Sequence, residues 1–347
     1  MRYDDSDYTP NQVVFEITLK CNLKCLHCGS SAGKARENEL NTKEVLEVCK
    51  GLSEIGFKGI GLMGGEMFLR KDWEIIVKTI KDHGMAVSTV TNGFFKPDKI
   101  IPKLVKLEVD CVTVGFDGTE KIHDKIRGVP GAFKKALRFM MEAKRSGLLT
   151  NAITTVHKLN FNNLNDLKQL ILDEKDLDWQ LQEVVPIGRF DKKLGLSEEE
   201  LYSLALYIAS LQQRYSKEKV VGSHSIGFFS KFIPNLSLYP EWKGCYAGRG
   251  VLGINSIGDV KGCEMLPDEY IDGNVREKNI VDIWNDPNAF AYNRQFKKTD
   301  LGPLCKDCKH GEKCMGGCMT RSVVITNKPH NDPHCLYKIE QDKKINF

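Results

Sequence analysis

The sequence predicts an α/β fold in which six β/α units form a partial, TIM-like (β/α)6 barrel. Over the first two-thirds of the chain, short apolar segments rich in β-branched residues alternate with longer segments of helical apolar spacing. The predicted strands are Val13–Leu19, Gly59–Met63, Ala86–Thr91, Cys111–Phe116, Asn151–Val156 and Trp179–Val185. Such alternation is typical of a parallel sheet with helices outside. The right-handed connections between parallel strands favour a curved, barrel-like sheet. Six units are fewer than the eight of a full TIM barrel.

Helices are predicted between and after these strands. Asn41 is suited to cap the first helix because Glu44 follows three residues later, which is the pattern of a capping box, and this helix runs to about Ile55. The apolar spacing predicts further helices over residues 72–83, 97–107, 132–146, 163–173 and 197–215. Each predicted helix follows a predicted strand, as β/α units require.

The bulk composition excludes several classes of protein. The 347 residues are enough for one large and one smaller domain, and 50 Lys and Arg against 46 Asp and Glu give a net charge of +4. A charge so balanced, without basic runs, argues against nucleic-acid binding. The N-terminal MRYDDSDYTPNQ is acidic and polar, unlike a signal peptide, and no apolar stretch is as long as the ~18 residues of a membrane span. We therefore expect a cytoplasmic protein with no membrane partner.

The 12 cysteines are unevenly distributed along the chain. One group lies between residues 21 and 28, a larger group lies after residue 244, and residues 112–244 contain none. Cys49 and Cys111 stand alone in apolar segments, where we expect them to be small buried side chains. In a long cytosolic chain, clustered cysteines more often bind metal or do redox chemistry than form disulfides. The distribution therefore predicts two metal-binding regions separated by a metal-free scaffold.

The first group has the spacing C-x3-C-x2-C and consists of Cys21, Cys25 and Cys28. It directly follows the first predicted strand, where parallel α/β folds place their chemistry. A structural zinc site needs four ligands in a closed tetrahedron. Three local thiolates suit a 4Fe–4S cluster that keeps one iron open, and we expect that open position to take a substrate.

This motif after the first strand of an incomplete barrel resembles the radical SAM superfamily. Further matches are GGE after the second strand, TNG after the third, and GFDG followed by IRG after the fourth. The resemblance implies that S-adenosylmethionine (SAM) binds the open iron and is cleaved to a 5′-deoxyadenosyl radical that abstracts hydrogen. It implies SAM-binding roles for His27, Gly64, Gly65, Glu66, Asn92, Gly115 and Arg127.

Some of these positions carry specific expectations. The family binds the methionine amino group at GGE, so Glu66 is expected to pair with that ammonium. Arg127 is expected to reach the SAM carboxylate, and His27 holds the family's aromatic position near adenine. Relatives often have a serine that contacts the ribose where this chain has Gly115, so the contact must come from backbone or from a neighbour such as Thr113.

A second cysteine pattern fills the last third of the chain. The segment CKDCKHGEKCMGGC has the spacing C-x2-C-x5-C-x3-C, with further cysteines before and after it. It resembles the SPASM domain, an extension of many radical SAM enzymes that binds auxiliary iron–sulfur clusters. The resemblance implies two auxiliary 4Fe–4S clusters, the outer one on Cys305, Cys308, Cys314 and Cys335 and the inner one on Cys245, Cys263 and Cys318. The alternative, a zinc ribbon over residues 305–318, leaves three cysteines unused.

We accordingly predict an N-terminal segment (1–12), a radical SAM partial barrel (13–216), a linker (217–240) and a small C-terminal iron–sulfur SPASM domain (241–347). In the last, VLGINSIGDVKGC predicts a hairpin that turns at residues 257–259 and returns Cys263 toward the cluster. The inner set is one thiolate short of a closed cubane. We expect an open iron there, and ligation by His224 is the alternative.

Glu264 is a candidate general base. It directly follows Cys263, and the anaerobic sulfatase maturases that this region resembles have at the matching place an Asp that accepts the substrate proton. A carboxylate beside an anionic cluster has its pKa raised, which suits a base near neutral pH. A solvated hairpin residue is the alternative interpretation.

Three functions are compatible with this pattern. The favoured one is post-translational modification of a ribosomal peptide by oxidation, cross-linking, thioether formation or epimerisation. The second is oxidation or decarboxylation of a tetrapyrrole or another small-molecule side chain, and the third is a non-catalytic iron–sulfur electron carrier. The expected partners are the substrate, a flavodoxin- or ferredoxin-type electron donor and, for a peptide, a separate leader-peptide-binding protein.

Overall fold

The structure, a computed structural model, describes residues 9–223, 226–238 and 241–345. The strands, in chain order, are β1 (Gln12–Glu16), β2 (Gly59–Met63), β3 (Ala86–Thr91), β4 (Cys111–Gly115), β5 (Thr150–Val156), β6 (Asp178–Glu183), β7 (Val220–Gly222), β8 (Val251–Ile254), β9 (Asp259–Lys261) and β10 (Gly273–Asn274). Within the described residues they form one sheet in the order β10-β9-β8-β1-β2-β3-β4-β5-β6-β7. Strands β1 to β6 are neighbours in chain order and all parallel, so the predicted fold class is confirmed.

Helices follow the strands as β/α units require. They are α1 (Thr42–Ile55), α2 (Trp73–Asp82), α3 (Pro97–Lys106), α4 (Glu120–Arg127), α5 (Ala132–Arg145), α6 (Leu164–Lys168), α7 (Glu198–Tyr215), α8 (Ile280–Asn285), α9 (Ala291–Arg294), α10 (Gly311–Cys314), α11 (Met319–Thr326) and α12 (Leu336–Asp342). The predicted capping box is confirmed, because Asn41 and Glu44 each accept the other's backbone N–H. Helix α6 continues into a π-helical segment, and α4 was not predicted by the apolar spacing. In the described part of the chain, no helix has the length and apolar character needed to span a membrane.

The strands bury one face against the helices. On β5 and β6 buried and half-buried residues alternate, and the buried set includes Ala152, Val156, Trp179 and Leu181 of the main apolar core. The Trp179 indole donates a hydrogen bond to Thr154 Oγ1 at 2.9 Å, so its polar atom is satisfied inside the core. The half-buried positions therefore face the concave side of the sheet, which is the interior of the partial barrel.

The C-terminal part of the chain continues the barrel sheet beyond β1. Strand β8 pairs with β1 in parallel, and β9 pairs with β8 in antiparallel, so the predicted hairpin is confirmed. Gly258 lies in its turn with a φ of +93°, a conformation that favours glycine. At the other edge, β7 lies parallel to β6 within the segment predicted as a linker. The predicted domain bounds stay a prediction, since one sheet runs through all these regions.

A buried ionic network joins the barrel to the C-terminal region. Arg321 is 0% exposed and donates Nε and Nη2 to the two Asp332 oxygens, each at 2.7 Å, and Nη1 to Glu183 Oε2 at 2.5 Å. Glu183 ends β6, and its other oxygen lies 2.6 Å from His334 Nδ1. The Cys318 N–H donates to Asp332 at 2.8 Å. The guanidinium fork therefore fixes the end of β6 to the segment that carries the last cysteines.

Arg321→Met should destabilise the fold strongly. The substitution leaves Glu183 and Asp332 as buried carboxylates without their cation, which costs about 3–5 kcal/mol of unfolding free energy. The control is Lys78→Met, which breaks an exposed helical pair with Asp82 and should cost less than ~1 kcal/mol. Chemical denaturation measures both losses. Equal losses in the two variants would contradict a stabilising role for the network.

Candidate active site at the barrel mouth

The cysteine trio lies in the loop that leaves β1. The Cys21 N–H donates to Gly33 O at 2.9 Å, and the Ala32 N–H lies 3.3 Å from Cys28 Sγ, so the loop is ordered by its own backbone. Cys25 is buried, and the other two cysteines are half-buried. Burial raises the pKa of Cys21 to about 11 and also raises the pKa of Cys25. The fold therefore gathers the three thiols, and a metal is needed to ionise Cys21 and Cys25 near neutral pH.

Two glycines bring the end of β2 against this loop. A Cβ at Gly64 would overlap Thr18 O, and a Cβ at Gly65 would lie 2.5 Å from Leu19 O and from Lys20 O. The Gly65 N–H donates to Thr18 O at 2.8 Å. Glycine is therefore required here by the close approach of two backbones, and the residue that follows is held at the start of the cysteine loop.

Glu66 connects the ends of β2 and β3. Its side chain is 1% exposed and accepts hydrogen bonds from Thr91 Oγ1 at 2.9 and 3.0 Å and from the Asn92 N–H at 2.9 Å. Burial raises the pKa of Glu66 to about 7, against the lowering effect of these donors. Asn92 Nδ2 in turn lies 3.9 Å from Cys21 Sγ. Glu66 is therefore a structural link at the mouth, and its contact with a SAM ammonium stays a prediction.

Arg127 occupies the space beside Gly115. A Cβ at Gly115 would overlap the guanidinium, whose Nε lies 2.7 Å from Asp117 Oδ2 and whose Nη1 lies 3.8 Å from Cys25 Sγ. Asp117 is 1% exposed, and burial alone would raise its pKa. The Arg127 charge, together with smaller contributions from the neighbouring histidines, outweighs burial and holds the pKa of Asp117 well below its usual range. The glycine that replaces the expected serine is thus explained by the room that Arg127 needs.

Two buried histidines, His123 and His157, and the half-buried His27 surround Asp117. His27 Nε2 lies 3.6 Å from Asp117 Oδ2, and the His27 and His157 rings are 5.7 Å apart. Burial lowers the pKa of His27, and lowers the pKa of His123 and His157 to about 4, so all three are neutral at pH 7. The Asp117 and Leu159 N–H groups donate to Nδ1 of His123 and His157, which places the ring proton on Nε2. Among the described residues, both Nε2 atoms and His27 Nδ1 have no hydrogen-bond partner.

The sequence patterns do not single out all of these residues. Asp117 and His157 lie just after the ends of β4 and β5, which is the same signal that identifies Glu66 and Asn92 after β2 and β3. His123 carries no such signal, because it lies on the unpredicted helix α4. Asp117 and His157 could have been found by examining the polar residues that follow every parallel strand.

The four cysteines predicted as the outer set line one cavity. It has a volume of about 360 Å³, and its walls include Phe229, Asp332, Cys305, Cys308, Cys314 and Cys335. Burial, and then the neighbouring Cys335, raise the pKa of Cys305 to about 12. Cys318 is not part of this lining, although it packs with Cys314 in an apolar cluster. Cluster binding by the four cysteines of the outer set stays a prediction.

The three cysteines predicted as the inner set lie in and beside a smaller apolar cluster. Cys245 and Cys263 pack there with Leu266 and Met319. Burial raises the pKa of Cys263 to about 11, and the charge of Cys245 contributes to that increase. Burial and the charge of Cys245 also raise the pKa of Cys318. The fold therefore brings these three thiols into one neighbourhood, as a shared cluster requires.

The fourth ligand of the inner set stays open. His224 lies outside the described residues. Asp332 is the carboxylate that accepts the Cys318 N–H, but Arg321 engages both of its oxygens. It is therefore not available as a ligand, and the expectation of an open iron stays a prediction.

Glu264 lies half-buried between the inner set and the barrel. Gly253 on β8 packs so closely on the Cys263–Glu264 backbone that a Cβ would overlap it. Burial, and then the charge of Glu16, raise the pKa of Glu264 to about 7. No described residue donates a hydrogen bond to its carboxylate. Such a group is suited to accept a proton near neutral pH, and this role stays a prediction.

The donor sets at the mouth fit the predicted cofactors. Thiolates are the usual protein ligands of iron–sulfur clusters, and the outer four surround a cavity large enough for more than one atom. Beside the trio, the unpartnered histidine atoms offer hydrogen bonds to a buried polar ligand, as the nucleoside of SAM requires. Among the described residues, no group of three or more His, Cys, Asp or Glu side chains is close enough to hold a single metal ion.

Comparison with known families agrees with this geometry. Residues 15–171 match the radical SAM superfamily, and residues 245–309 match the SPASM iron–sulfur cluster-binding domain. The chain therefore contains a radical SAM domain and a C-terminal SPASM domain, which confirms the predicted resemblance.

Curated relatives and solved structures cover nearly the whole chain. The AdoMet-dependent heme synthase of Methanosarcina barkeri is 27% identical over 95% of this chain and 97% of its own length. The mycofactocin maturase MftC of Mycobacterium ulcerans is 27% identical over 94% of this chain and 88% of its own. Streptococcus suis SuiB bound to the precursor peptide SuiA has a TM-score of 0.75 at 18% identity, over 94% of this chain and 76% of that one. The enzyme anSMEcpe with bound AdoMet has a TM-score of 0.71 at 18% identity, over 96% and 95%. At such identities the structures establish the fold alone.

Gly115→Ala should displace Arg127 from the mouth. The added methyl group overlaps the guanidinium, and overpacking of this kind costs about 1–3 kcal/mol of unfolding free energy. We also expect weaker SAM binding, measured by titration of the reconstituted enzyme. The control is Gly33→Ala, since a Cβ at Gly33 meets nothing within 4 Å. Unchanged stability and SAM affinity in Gly115→Ala would show that the close packing at this position is unimportant.

The cysteine trio should account for one cluster of three. Anaerobic reconstitution is expected to give about 12 iron per chain, and the Cys21/Cys25/Cys28→Ala variant should lose about a third of it and all reductive cleavage of SAM. Iron analysis and chromatography of 5′-deoxyadenosine measure the two quantities. The control Cys111→Ala should keep both. SAM cleavage by the triple variant would refute the assignment of the trio.

Proposed function

We propose that the protein modifies a ribosomally made peptide at an unactivated C–H bond, by oxidation, cross-linking, thioether formation or epimerisation. A 4Fe–4S cluster on Cys21, Cys25 and Cys28, together with SAM, would supply the 5′-deoxyadenosyl radical for hydrogen abstraction. The task of this chain is to bind SAM, exclude water, and orient the substrate between the trio and the inner cysteines.

The residues around the trio are suited to hold SAM. Arg127 is fixed by Asp117 and has a further N–H group beside Cys25, where it would bind the SAM carboxylate. Glu66 places a carboxylate at the end of β2, where it would attract the ammonium group of SAM. The neutral His157 is a buried donor for the nucleoside part. Charge and hydrogen-bond direction at the mouth are thus complementary to a zwitterionic amino acid joined to a nucleoside.

Polar side chains on the concave face of the sheet are the observation that favours a peptide substrate. Asn151, Thr155, Gln180 and Gln182 lie with one apolar residue, Ile153, on the half-buried face of β5 and β6, and Gln182 Nε2 donates to Thr155 Oγ1 at 3.0 Å. Amides and hydroxyls both donate and accept hydrogen bonds, which matches the N–H and C=O groups of a peptide backbone. A flat macrocycle with carboxylate arms is better bound by aromatic and cationic side chains.

A tetrapyrrole or another small molecule is the second candidate substrate. The heme synthase and the mycofactocin maturase are equally identical to this chain, so these two relatives favour neither class. A non-catalytic electron carrier is a weaker candidate, because it leaves the Arg127 site and the unpartnered histidines without a ligand. For a peptide, recognition requires either direct binding or a separate leader-peptide-binding protein.

The substrate class is tested by supplying the reduced enzyme and SAM with one of two candidates under anaerobic conditions. These are short peptides encoded by neighbouring genes and Fe-coproporphyrin III. We expect a mass change on a peptide and more 5′-deoxyadenosine than without substrate, with the porphyrin unaltered. Conversion of the porphyrin together with unaltered peptides would instead establish the second candidate.

Glu264→Gln should separate radical formation from product formation. If Glu264 accepts the substrate proton, the variant forms 5′-deoxyadenosine, but its yield of product falls by about 10²-fold or more. Mass spectrometry of the substrate and chromatography of 5′-deoxyadenosine measure the two reactions. The exposed Glu269→Gln is the matched control and should behave as the wild type. Full product yield in Glu264→Gln would exclude the base role.

A further inference from the structure

The segment that follows β6 packs against the loop of the cysteine trio. Its residue Gly188 has a φ of +61°, and a Cβ there would overlap Gly29 O and would lie 2.5 Å from Cys28 O. Ile187 reaches the same loop, because its side chain lies 3.2 Å from the position of a Cβ at Gly29. Glycine is therefore required at residue 188 by its backbone conformation and by the close approach of the two main chains.

Arg189 binds this loop through both its main chain and its side chain. The Arg189 N–H donates to Cys28 O at 3.1 Å. In the guanidinium, Nε donates to Cys25 O at 3.3 Å and Nη1 donates to Ala32 O at 2.6 Å. A planar guanidinium can hold two acceptors in one fixed geometry. One residue from the β6 side thus supplies donors to three carbonyls of the loop, and two of these carbonyls belong to predicted cluster ligands.

The position of Arg189 is itself fixed by its neighbours. The Phe190 N–H donates to Ile187 O at 3.3 Å, which closes a turn that contains Arg189. Phe190 is 6% exposed, and its ring lies 5.6 Å from the ring of His157, just after the end of β5. The guanidinium is therefore presented to the cysteine loop by a turn that is anchored in the barrel.

Two cations lie beside Cys25, and only one of them is paired with a carboxylate. Arg127 lies 3.8 Å from Cys25 Sγ and forms an ion pair with Asp117. Arg189 lies on the carbonyl side of Cys25, and in the described part of the chain it has no ion-pair partner. The charge of Arg189 is therefore not compensated by a direct contact.

Three carboxylates nearby in sequence do not pair with Arg189. Asp191 accepts a backbone N–H at 3.0 Å within its own turn. Glu37 and Glu39 lie at the end of the cysteine loop, where Glu37 is exposed and Glu39 accepts the Leu19 N–H at 2.7 Å. These two lower the net charge of the loop. The local effect of Arg189 on the cysteine main chain remains, because Coulomb interactions weaken with distance.

We propose that Arg189 is a positioning residue of the SAM-cleavage site, which fixes the cysteine loop from the β6 side and favours the reduced cluster through its positive charge. The proposal rests on the proposed function, because it needs a 4Fe–4S cluster on the trio. Reduction adds one electron from an external reductant and transfers no atom. The cluster thereby gains one negative charge, and a cation beside its ligands lowers the free energy of that state.

The charge and the hydrogen bonds of Arg189 can be removed separately. Arg189→Lys keeps the charge but lacks the planar fork, Arg189→Gln keeps an amide donor but lacks the charge, and Arg189→Met lacks both. The control Arg145→Met removes the same charge from the last turn of α5, at the end of the barrel where β5 begins. If Arg189→Met does not retain its cluster, the comparison of the Gln and Lys variants still decides.

A redox titration followed by electron paramagnetic resonance measures the midpoint potential of the trio cluster, with dithionite as the reductant. Its signal is the one that is absent from Cys21/Cys25/Cys28→Ala. We expect a loss of charge to lower the equilibrium constant for one-electron reduction about ten-fold, which is a shift of about 59 mV to more negative potential. Arg189→Met and Arg189→Gln should show this shift, while Arg189→Lys and Arg145→Met should stay close to the wild type.

The rate of iron loss to a chelator measures the anchoring of the loop. We expect faster loss of the trio's iron in Arg189→Met and Arg189→Lys than in the wild type and Arg145→Met, because the loop carbonyls lose donors. An unchanged potential in both neutral variants would overturn the proposal. So would an equal shift in Arg189→Lys and Arg189→Gln, because the potential would then follow the loop structure and not the charge.

A direct contact of Arg189 with the substrate is also distinguishable. Weaker peptide binding by Arg189→Gln at an unchanged potential would show that Arg189 binds the substrate, and the proposal would be wrong. A wild-type enzyme whose reduced trio cluster cleaves no SAM would instead defeat the proposed function. The potentials of the variants would still test Arg189 in that case, so the two failures are distinguishable.

Discussion

The parallel pairing of β8 with β1 determines where the two halves of the candidate active site meet. Strand β1 leads into the cysteine trio, while β8 carries the Cys263–Glu264 turn on Gly253. The next residue, Met265, has its methyl group 3.4 Å from the position of a Cβ at Gly29, in the loop of the trio. The auxiliary cysteines therefore approach the barrel mouth because main-chain hydrogen bonds extend its sheet, and Arg321 closes the connection from the β6 side.

The glycines at the barrel mouth are explained by the close packing of neighbouring groups and not by a need for flexibility. Gly64 and Gly65 leave room for the main chain of residues 18–20, and Gly115 leaves room for a guanidinium. Each glycine lies beside a buried charged group that needs fixed partners, because an unpaired charge in this environment is costly. Glu66 accepts hydrogen bonds from Thr91 and Asn92, and Arg127 forms an ion pair with Asp117.

The features that could be predicted from the sequence are those that leave a local pattern, such as alternating apolar segments or cysteines at characteristic spacings. Alternating apolar segments identified the six parallel strands, and the resemblance of the cysteine pattern to the SPASM domain implied which thiols share the outer cavity. The sequence could not predict the pairing of β8 with β1, because strand partners distant in the chain leave no local pattern. Arg321 and Asp332 were missed for the same reason, since a buried ion pair looks like two surface charges in a sequence. Burial lowers the pKa of His123, and this residue lies on the short helix α4, which the apolar spacing did not reveal.

The central claim is that the trio holds a cluster whose open iron is bound by SAM. Electron–nuclear double resonance on the dithionite-reduced enzyme tests it most directly, with SAM that carries ¹⁵N in its amino group and ¹⁷O in its carboxylate. We expect hyperfine coupling of both labels to a cluster that is absent from the Cys21/Cys25/Cys28→Ala variant. A reduced cluster that shows no coupling to either label would contradict the account, whatever iron the protein contains.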